Sequence, residues 1–297
     1  MDLDNTKRKC YAQCPRRFKW EYIENLRPSY GSTALRFGLC THEILENYYT
    51  VIKNDGWKAK SDAITKGALA GKACWERESK GRQFYEDYRT LENCLSSFIG
   101  YINHYEGDES FISIVELEKT FRVDLGEDIF FTGKVDGKVL LNGSNWLLEF
   151  KTSGQPIDKQ MKTLQRSPQL LGYAFAGSQL DKEVEGILVS MIHVSSTKSR
   201  VTGAYGKTRI DFRRSPQIFT KGDLESWLDS FLWTARQVKE SIKENYYPML
   251  LDSCYTYGQC PYFSLCEQNT APEKTNTQSF ITVPNWNVLE DRKEISV

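Results

Sequence analysis

The chain predicts an α/β fold in which helices pack on a mixed sheet, and three observations carry that expectation. Apolar residues recur at helical spacing over residues 38–52 and again in the segment 224–246. Residues 111–152 change to runs rich in β-branched and aromatic side chains, broken by two turn signals. Further strand-like runs at 184–194 and 207–213 follow a helix start at Ser167-Pro168, and this mixture of elements favours helices layered on one sheet.

Leu39, Leu45, Tyr48 and Ile52 set the stripe of the first helix, predicted over Gly38–Ile52, and His42 falls on its inward side. A polar helical stretch from Lys58 to about Tyr105 follows and reads as a helical insertion at about 53–108. Strands are expected at Phe111–Asp124, Ile129–Leu141 and Asn145–Thr152. Gly126 with Glu127 and the pair Asn142-Gly143 supply the turns of an antiparallel meander. Ser167 as N-cap and Pro168 as first residue open a helix running through Ala176. The last helix spans about Leu224–Tyr246, with Trp227, Phe231 and Trp233 among its apolar contributors, and leads into a cysteine-rich loop. A single domain over 1–267 and a polar, loosely held tail over 268–297 complete the expected organisation.

At 297 residues, with 40% hydrophobic and 26% charged side chains, the chain can bury a core without staples. No run approaches eighteen consecutive apolar residues, and Met1–Lys19 is polar and basic without a signal-peptide core, so a cytoplasmic protein without membrane association is expected. The eight cysteines are then expected as free thiols able to bind metal. Formal net charge is zero, so attraction to nucleic acid must come from local patches. One comprises Lys7, Arg8, Lys9, Arg16, Arg17 and Lys19. The other comprises Lys198, Arg200, Lys207, Arg209, Arg213 and Arg214, with Asp211 against it.

In Trp146-Leu147-Leu148-Glu149-Phe150-Lys151 the two-residue period puts Glu149 and Lys151 on one face and Trp146, Leu148 and Phe150 on the other. Alone, such a pair is usually an exposed ion pair. The Asn142-Gly143 hairpin, however, can bring Asp136 beside Glu149, and two carboxylates at one sheet end repel unless a cation or proton intervenes. Magnesium or manganese, hard ions that prefer oxygen ligands and keep waters, suit such a pair.

Four motifs occur in order: Gly38-x-x-x-His42, Gly133-x-x-Asp136, Glu149-x-Lys151 and Gln169-x-x-x-Tyr173. Together with Cys14-Pro15-Arg16-Arg17-Phe18 near the start and Cys254, Cys260 and Cys266 near the end, the series resembles the RecB-like branch of the PD-(D/E)XK nuclease superfamily, of the AddB and CRISPR-adaptation type. The resemblance implies a restriction-endonuclease-like core. It implies that His42, Asp136 and Glu149 bind the catalytic magnesium or manganese, with the Phe150 backbone carbonyl as a further ligand. Lys151 would orient the attacking water or stabilise the pentacovalent phosphate, and Gln169 and Tyr173 would lie beside the active site. A buried histidine satisfied by the core is the alternative for His42, and helix packing is the alternative for Gln169 and Tyr173.

By the same resemblance Cys14, Cys254, Cys260 and Cys266 hold a 4Fe-4S cluster, with zinc as the alternative, since four thiolates suit either. The five residues between Cys254 and Cys260, where the related nucleases usually have two, depart from the pattern. Cys10 is a rival to Cys14, while Cys40, Cys74 and Cys94 read as packing residues. Arg16, Arg17, Arg200, Lys207 and Arg209 are the expected DNA contacts. The implied function is metal-dependent hydrolysis of DNA phosphodiester bonds, as an exonuclease in recombination, repair or phage DNA processing. Its substrate would be single-stranded DNA or DNA with accessible ends, and a helicase or recombination protein its partner. The alternative is a non-catalytic nucleic-acid-binding or structural subunit of a helicase–nuclease complex. No Walker-type Gly-x-x-x-x-Gly-Lys-Ser/Thr loop is present, which excludes an intrinsic motor of that kind.

Overall fold

The structure, a computed structural model, describes residues 1–181, 183–256, 258–267, 279–284 and 288–289. In chain order its helices are α1 (Asn5–Gln13), α2 (Pro15–Phe18), α3 (Thr33–Asp55), α4 (Lys60–Ser79), α5 (Leu91–His104), α6 (Ile157–Thr163), α7 (Pro168–Leu180), α8 (Lys221–Lys243) and α9 (Phe263–Glu267). Its strands are β1 (Asp2–Leu3), β2 (Leu26–Pro28), β3 (Tyr30–Gly31), β4 (Gln83–Phe84), β5 (Ile112–Asp124), β6 (Phe130–Leu141), β7 (Ser144–Ser153), β8 (Val184–Ser195), β9 (Arg209–Gln217) and β10 (Phe280–Thr282). The fold is mixed α/β with a central mixed sheet flanked by helices, a restriction-endonuclease-like architecture. Two compact units are present: one made of residues 1–30, 120–133 and 222–297, the other of residues 31–119 and 134–221.

The second, larger unit holds most of the sheet. Asn142 and Gly143 both have positive φ, 49° and 87°, the condition for a two-residue hairpin turn between β6 and β7. The turn fixes an antiparallel register that pairs Gly137 with Leu148 and Val139 with Trp146. β8 adds parallel to β7, and β9 adds antiparallel to β8. Alternation then sends Val139, Trp146, Leu148 and Phe150 into the core shared with α3, α4 and α5. On the opposite face, Leu147 meets α7 at Gly177, where a Cβ would lie 3.3 Å from Leu147 Cδ1.

Helix α3 begins five residues before the expected Gly38, because the Ser32 side chain caps it by accepting from the Leu35 N–H at 3.3 Å. It packs closely on α4: a Cβ at Gly71 would fall 2.5 Å from Ile44 Cδ1, and one at Gly67 would fall 3.0 Å from the Ile44 carbonyl oxygen. Residues 53–108, read from the sequence as a helical insertion, comprise the end of α3, α4, the short strand β4 and α5.

Arg214 corrects the sequence reading of a surface patch. It lies inside this unit, its guanidinium bonded to both Asp108 carboxylate oxygens at 2.5 and 2.7 Å and to the Tyr101 hydroxyl at 2.7 Å. A charge removed from water is tolerable only with such pairing.

In the first unit β1 pairs parallel with Phe130 and Phe131 of β6. Phe131 packs on Trp227 and Phe231 of α8, and the Tyr11 hydroxyl meets Ser241 at 2.6 Å. Trp233 corrects the helix reading, for it is 66% exposed and contributes nothing to the core. The turn at Gly126 extends over three residues of positive φ, with Glu127 and Asp128 following. A smaller core joins Trp20, Leu26, Tyr262 and Leu265. β10 pairs antiparallel with β2, so residues 280–282 of the expected loose tail are built into a sheet, while 268–278 and 290–297 lie outside the described residues. Among the described residues no helix is long and apolar enough to cross a membrane.

Removing one partner of the buried Arg214–Asp108 pair leaves the other uncompensated. Arg214→Met should therefore lower the unfolding free energy by about 3–5 kcal/mol. The double variant Arg214→Met/Asp108→Leu should recover most of that loss, as read by urea denaturation.

Candidate active site

Six side chains named from the sequence converge within the second unit: His42 from α3, Asp136 from β6, Glu149 and Lys151 from β7, and Gln169 and Tyr173 from α7. Asp136 is held from two directions. Its Oδ1 lies 3.0 Å from His42 Nδ1, and its Oδ2 accepts the Phe150 backbone N–H at 2.6 Å. Phe150 is itself fixed by Tyr49, whose ring stacks on it at 5.8 Å, and by the edge of Tyr101 at 6.2 Å. The strand's apolar face therefore anchors the backbone amide that orients a carboxylate.

Glu149 is 2% exposed. Its Oε1 accepts from Lys151 Nζ at 2.5 Å and from Gln169 Nε2 at 3.2 Å. Lys151 also donates to Gln169 Oε1 at 2.6 Å. Gln169 in turn donates to the Tyr173 hydroxyl at 3.0 Å, and that hydroxyl donates to the Lys134 carbonyl at 2.9 Å. The four-residue spacing of Gln169 and Tyr173 thus places both on one face of α7, where they clamp the lysine and the backbone of β6. The other Glu149 oxygen, Oε2, is buried and accepts no hydrogen bond.

The electrostatics follow from this crowding. Burial pushes the Glu149 carboxyl up to about 7 against the opposing Lys151 ammonium, and the Asp136 charge adds to the rise. For Asp136, burial is outweighed by His42, the Phe150 N–H and Lys151, which hold it below the usual carboxylate range. For His42, burial favours the neutral ring, but Asp136 and Glu149 prevail and raise its pKa. One carboxylate is thus kept charged, while burial favours the protonated form of its neighbour.

Glu118 is near enough to feel the charge of Asp136, and Glu46 acts on Glu118; both were missed in the sequence. Glu118 is raised by burial and then by Asp136, against an ion pair with Lys134, and Glu46 adds to the rise. Glu46 was legible, since it follows His42 by one helical turn. Glu118 was not, because its position depends on a positive φ of 51° inside β5.

The donor chemistry fits a hard cation: two carboxylates and an imidazole meet, and Glu149 Oε2 is an acceptor without a donor. Asp136 pairs with His42, and Glu149 with Lys151. Among the described residues no three His, Cys, Asp or Glu side chains stand ready-grouped around a metal position.

In the first unit Cys14, Cys254, Cys260 and Cys266 are free, partly exposed thiols. Cys260 is raised by burial and feels Cys14 and Cys254, while Cys266 is raised by burial and feels Cys14 and Cys260. Cys10 is buried and its thiol points to Glu21 at 3.8 Å. Cys40 and Cys74 touch in the core at 2.9 Å, and Cys94 is also buried. Of the expected DNA contacts, Arg16 donates to the Tyr247 carbonyl at 2.8 Å and Arg17 pairs with Glu21 at 3.1 Å, both in the first unit. Arg200, Lys207 and Arg209 are exposed in the second.

The raised Glu149 has a defined sign in stability. Below its ordinary value of 4.5 its stabilising contribution is fully present, and it is lost as pH rises through about 7. Glu149→Gln should therefore be more stable than the wild type at pH 8, by an amount on the order of 1–3 kcal/mol, with little difference near pH 4.5. Thermal melting in chelator at both pH values checks this.

Among solved structures the chain is similar to a provisionally named exonuclease from Eubacterium rectale, at 14% identity and a TM-score of 0.48, over 92% of this chain and 89% of that one. It is also similar to the protein SSO0001, at 10% identity and a TM-score of 0.31, over 78% and 86% of the two chains. No protein of curated description matches it. The model of the PD-(D/E)XK nuclease superfamily matches residues 5–267, which span both the carboxylate site and the cysteine set, and the chain belongs to that superfamily.

Proposed function

We infer that the chain is a DNA nuclease that hydrolyses phosphodiester bonds with a bound magnesium or manganese ion, the ions that nucleases of this superfamily typically use. The single observation that carries this is the buried, unpartnered Glu149 Oε2 beside the charged Asp136 and the Lys151 ammonium. An orphaned carboxylate oxygen in a buried site costs free energy unless a cation or proton satisfies it.

His42, Asp136 and Glu149 would hold the ion, with the Phe150 carbonyl as a further oxygen. When bound, such an ion lowers the pKa of a coordinated water and polarises the scissile phosphate. The protein's own contribution is positioning and charge. Lys151 is held by Glu149 and Gln169, and its ammonium would orient the attacking water or stabilise the pentacovalent phosphate. Gln169 fixes the lysine, and Tyr173 fixes Gln169 against the Lys134 carbonyl. The enzyme is read as an exonuclease of recombination, repair or phage DNA processing, working with a helicase or recombination partner. In the first unit, Cys14, Cys254, Cys260 and Cys266 supply the four thiolates that a 4Fe-4S cluster, or zinc, requires.

Wild-type protein should release label from end-labelled linear DNA with magnesium or manganese, lose the activity in chelator, and leave closed circular DNA intact. Lys151→Ala should reduce the rate at least about a hundredfold, the scale of losing one preorganised charge-stabilising donor. Activity that survives both the chelator and the substitution rejects the assignment. Anaerobically purified protein should carry iron and inorganic sulfide and absorb broadly in the visible, and Cys260→Ala should lose both. Colourless protein with stoichiometric zinc would replace the cluster with zinc.

A further inference from the structure

β7, which carries Glu149 and Lys151, ends at Ser153, and Gly154 just beyond it is covered by two side chains that the proposed chemistry does not use. A Cβ on Gly154 would fall 2.7 Å from the Tyr88 hydroxyl oxygen and 2.7 Å from Arg89 Nη2. Both residues lie in the connection from β4 to α5. The Arg89 guanidinium sits 4.5 Å from the centre of the Tyr88 ring. It is held there by Asp87 at 2.5 Å, and Asp87 also accepts from Thr33, the first residue of α3, at 2.9 Å.

The connection from β8 to β9 closes on the same place. The Tyr205 ring meets Tyr88 edge to face at 5.5 Å and 63°, and the Lys198 ammonium lies 5.4 Å over the Tyr205 ring. Asn93 Nδ2 donates both to the Tyr88 carbonyl at 2.6 Å and to Thr208 Oγ1 at 3.0 Å, so one amide ties the two connections together. The rings are thus held in place before any ligand arrives, which reduces the ordering cost of binding.

Two routes through the fold place this cluster at a similar distance from the carboxylate site. Gly154 follows Lys151 by three residues, roughly 10 Å of extended chain. Thr33 precedes His42 by nine residues of α3, roughly 14 Å of helix. Exposed Lys198, Arg200 and Lys207 lie in the same β8–β9 connection as Tyr205, and exposed Arg209 opens β9, with Asp211, Glu86 and Asp87 as the opposing charges nearby in sequence. Flat aromatic faces among cations match a polymer that alternates bases with phosphates. They match it only where the bases are unstacked from a partner strand, because a duplex hides its base faces.

On this basis we propose that Tyr88 and Tyr205, backed by Arg89, form a stacking platform for unpaired bases of single-stranded DNA, with Lys198, Arg200 and Lys207 holding its backbone. The platform would set the strand a short, fixed distance from Lys151. It rests on the nuclease reading for its purpose, but binding can be measured without turnover.

The test uses the full chain in chelator, with fluorescence anisotropy of a labelled oligothymidylate and of a blunt duplex of equal length. The wild type should bind the single strand more tightly than the duplex. Tyr205→Ala and Tyr88→Ala should each weaken single-strand binding roughly tenfold, the loss expected for one stacked base, with duplex binding unchanged. Tyr205→Phe and Tyr88→Phe should bind as the wild type does, because the ring face and not the hydroxyl carries the contact. Melting temperatures identify any variant that fails to fold, and Tyr205→Ala, in an exposed connection, decides the matter if Tyr88→Ala does not fold. Undiminished single-strand binding by folded Tyr205→Ala, equal losses on both DNAs, or wild-type preference for duplex would each overturn the platform. Selective single-strand binding without metal-dependent cleavage would instead reject the nuclease reading and leave the platform standing.

Discussion

Two carboxyl groups packed at one end of a β-hairpin, with too few donors between them, constrain the rest of the second unit. Asp136 and Glu149 are brought together by a turn whose two residues both need positive φ, and Asn142-Gly143 meets that need. Both carboxyl groups are largely shielded from water, so each must find a partner or take up a proton. The surrounding elements supply partners one at a time: an imidazole from α3, a backbone amide from Phe150, an ammonium from Lys151 and an amide from Gln169. One acceptor, Glu149 Oε2, remains without a donor.

The core behind the site serves this arrangement. Phe150 turns its ring into the cluster with Tyr49 and Tyr101 while its N–H reaches Asp136 on the hairpin partner. Tyr101 is in turn tied to the buried Arg214–Asp108 pair. Packing and polar satisfaction are therefore coupled from the edge strand β9 through to the carboxylate that carries the site's charge, as in other buried polar networks whose members must all be satisfied.

Much of this was legible in the sequence, because local rules decide it. The alternation around Glu149 and Lys151, the Asn142-Gly143 turn and the Ser167-Pro168 helix start each report the structure of their own few residues, and their elements lie within a few residues of where those rules put them. Side chains whose role depends on remote neighbours were less accessible. Arg214 has the composition of a surface cation, yet it is drawn inside by Asp108, over a hundred positions earlier in the chain. Trp233 has the apolarity of a core residue, but the face of α8 that buries Trp227 and Phe231 leaves it outside. Glu118 is placed by a left-handed residue within a strand, which no spacing rule announces. The pairing of β10 with β2 joins segments some 250 residues apart, and only the assembled first unit brings them together.

On the reading proposed above, His42, Asp136 and Glu149 form one cation site, with Glu149 Oε2 as its unpartnered acceptor. Calorimetric titration with manganese tests it most directly, comparing the wild type with the Asp136→Asn/Glu149→Gln double variant at pH 8, after both are shown to fold. Saturable binding to the wild type at this site, lost in the double variant, is the expected result. Equal manganese binding by the two proteins, or none by the wild type, would contradict it.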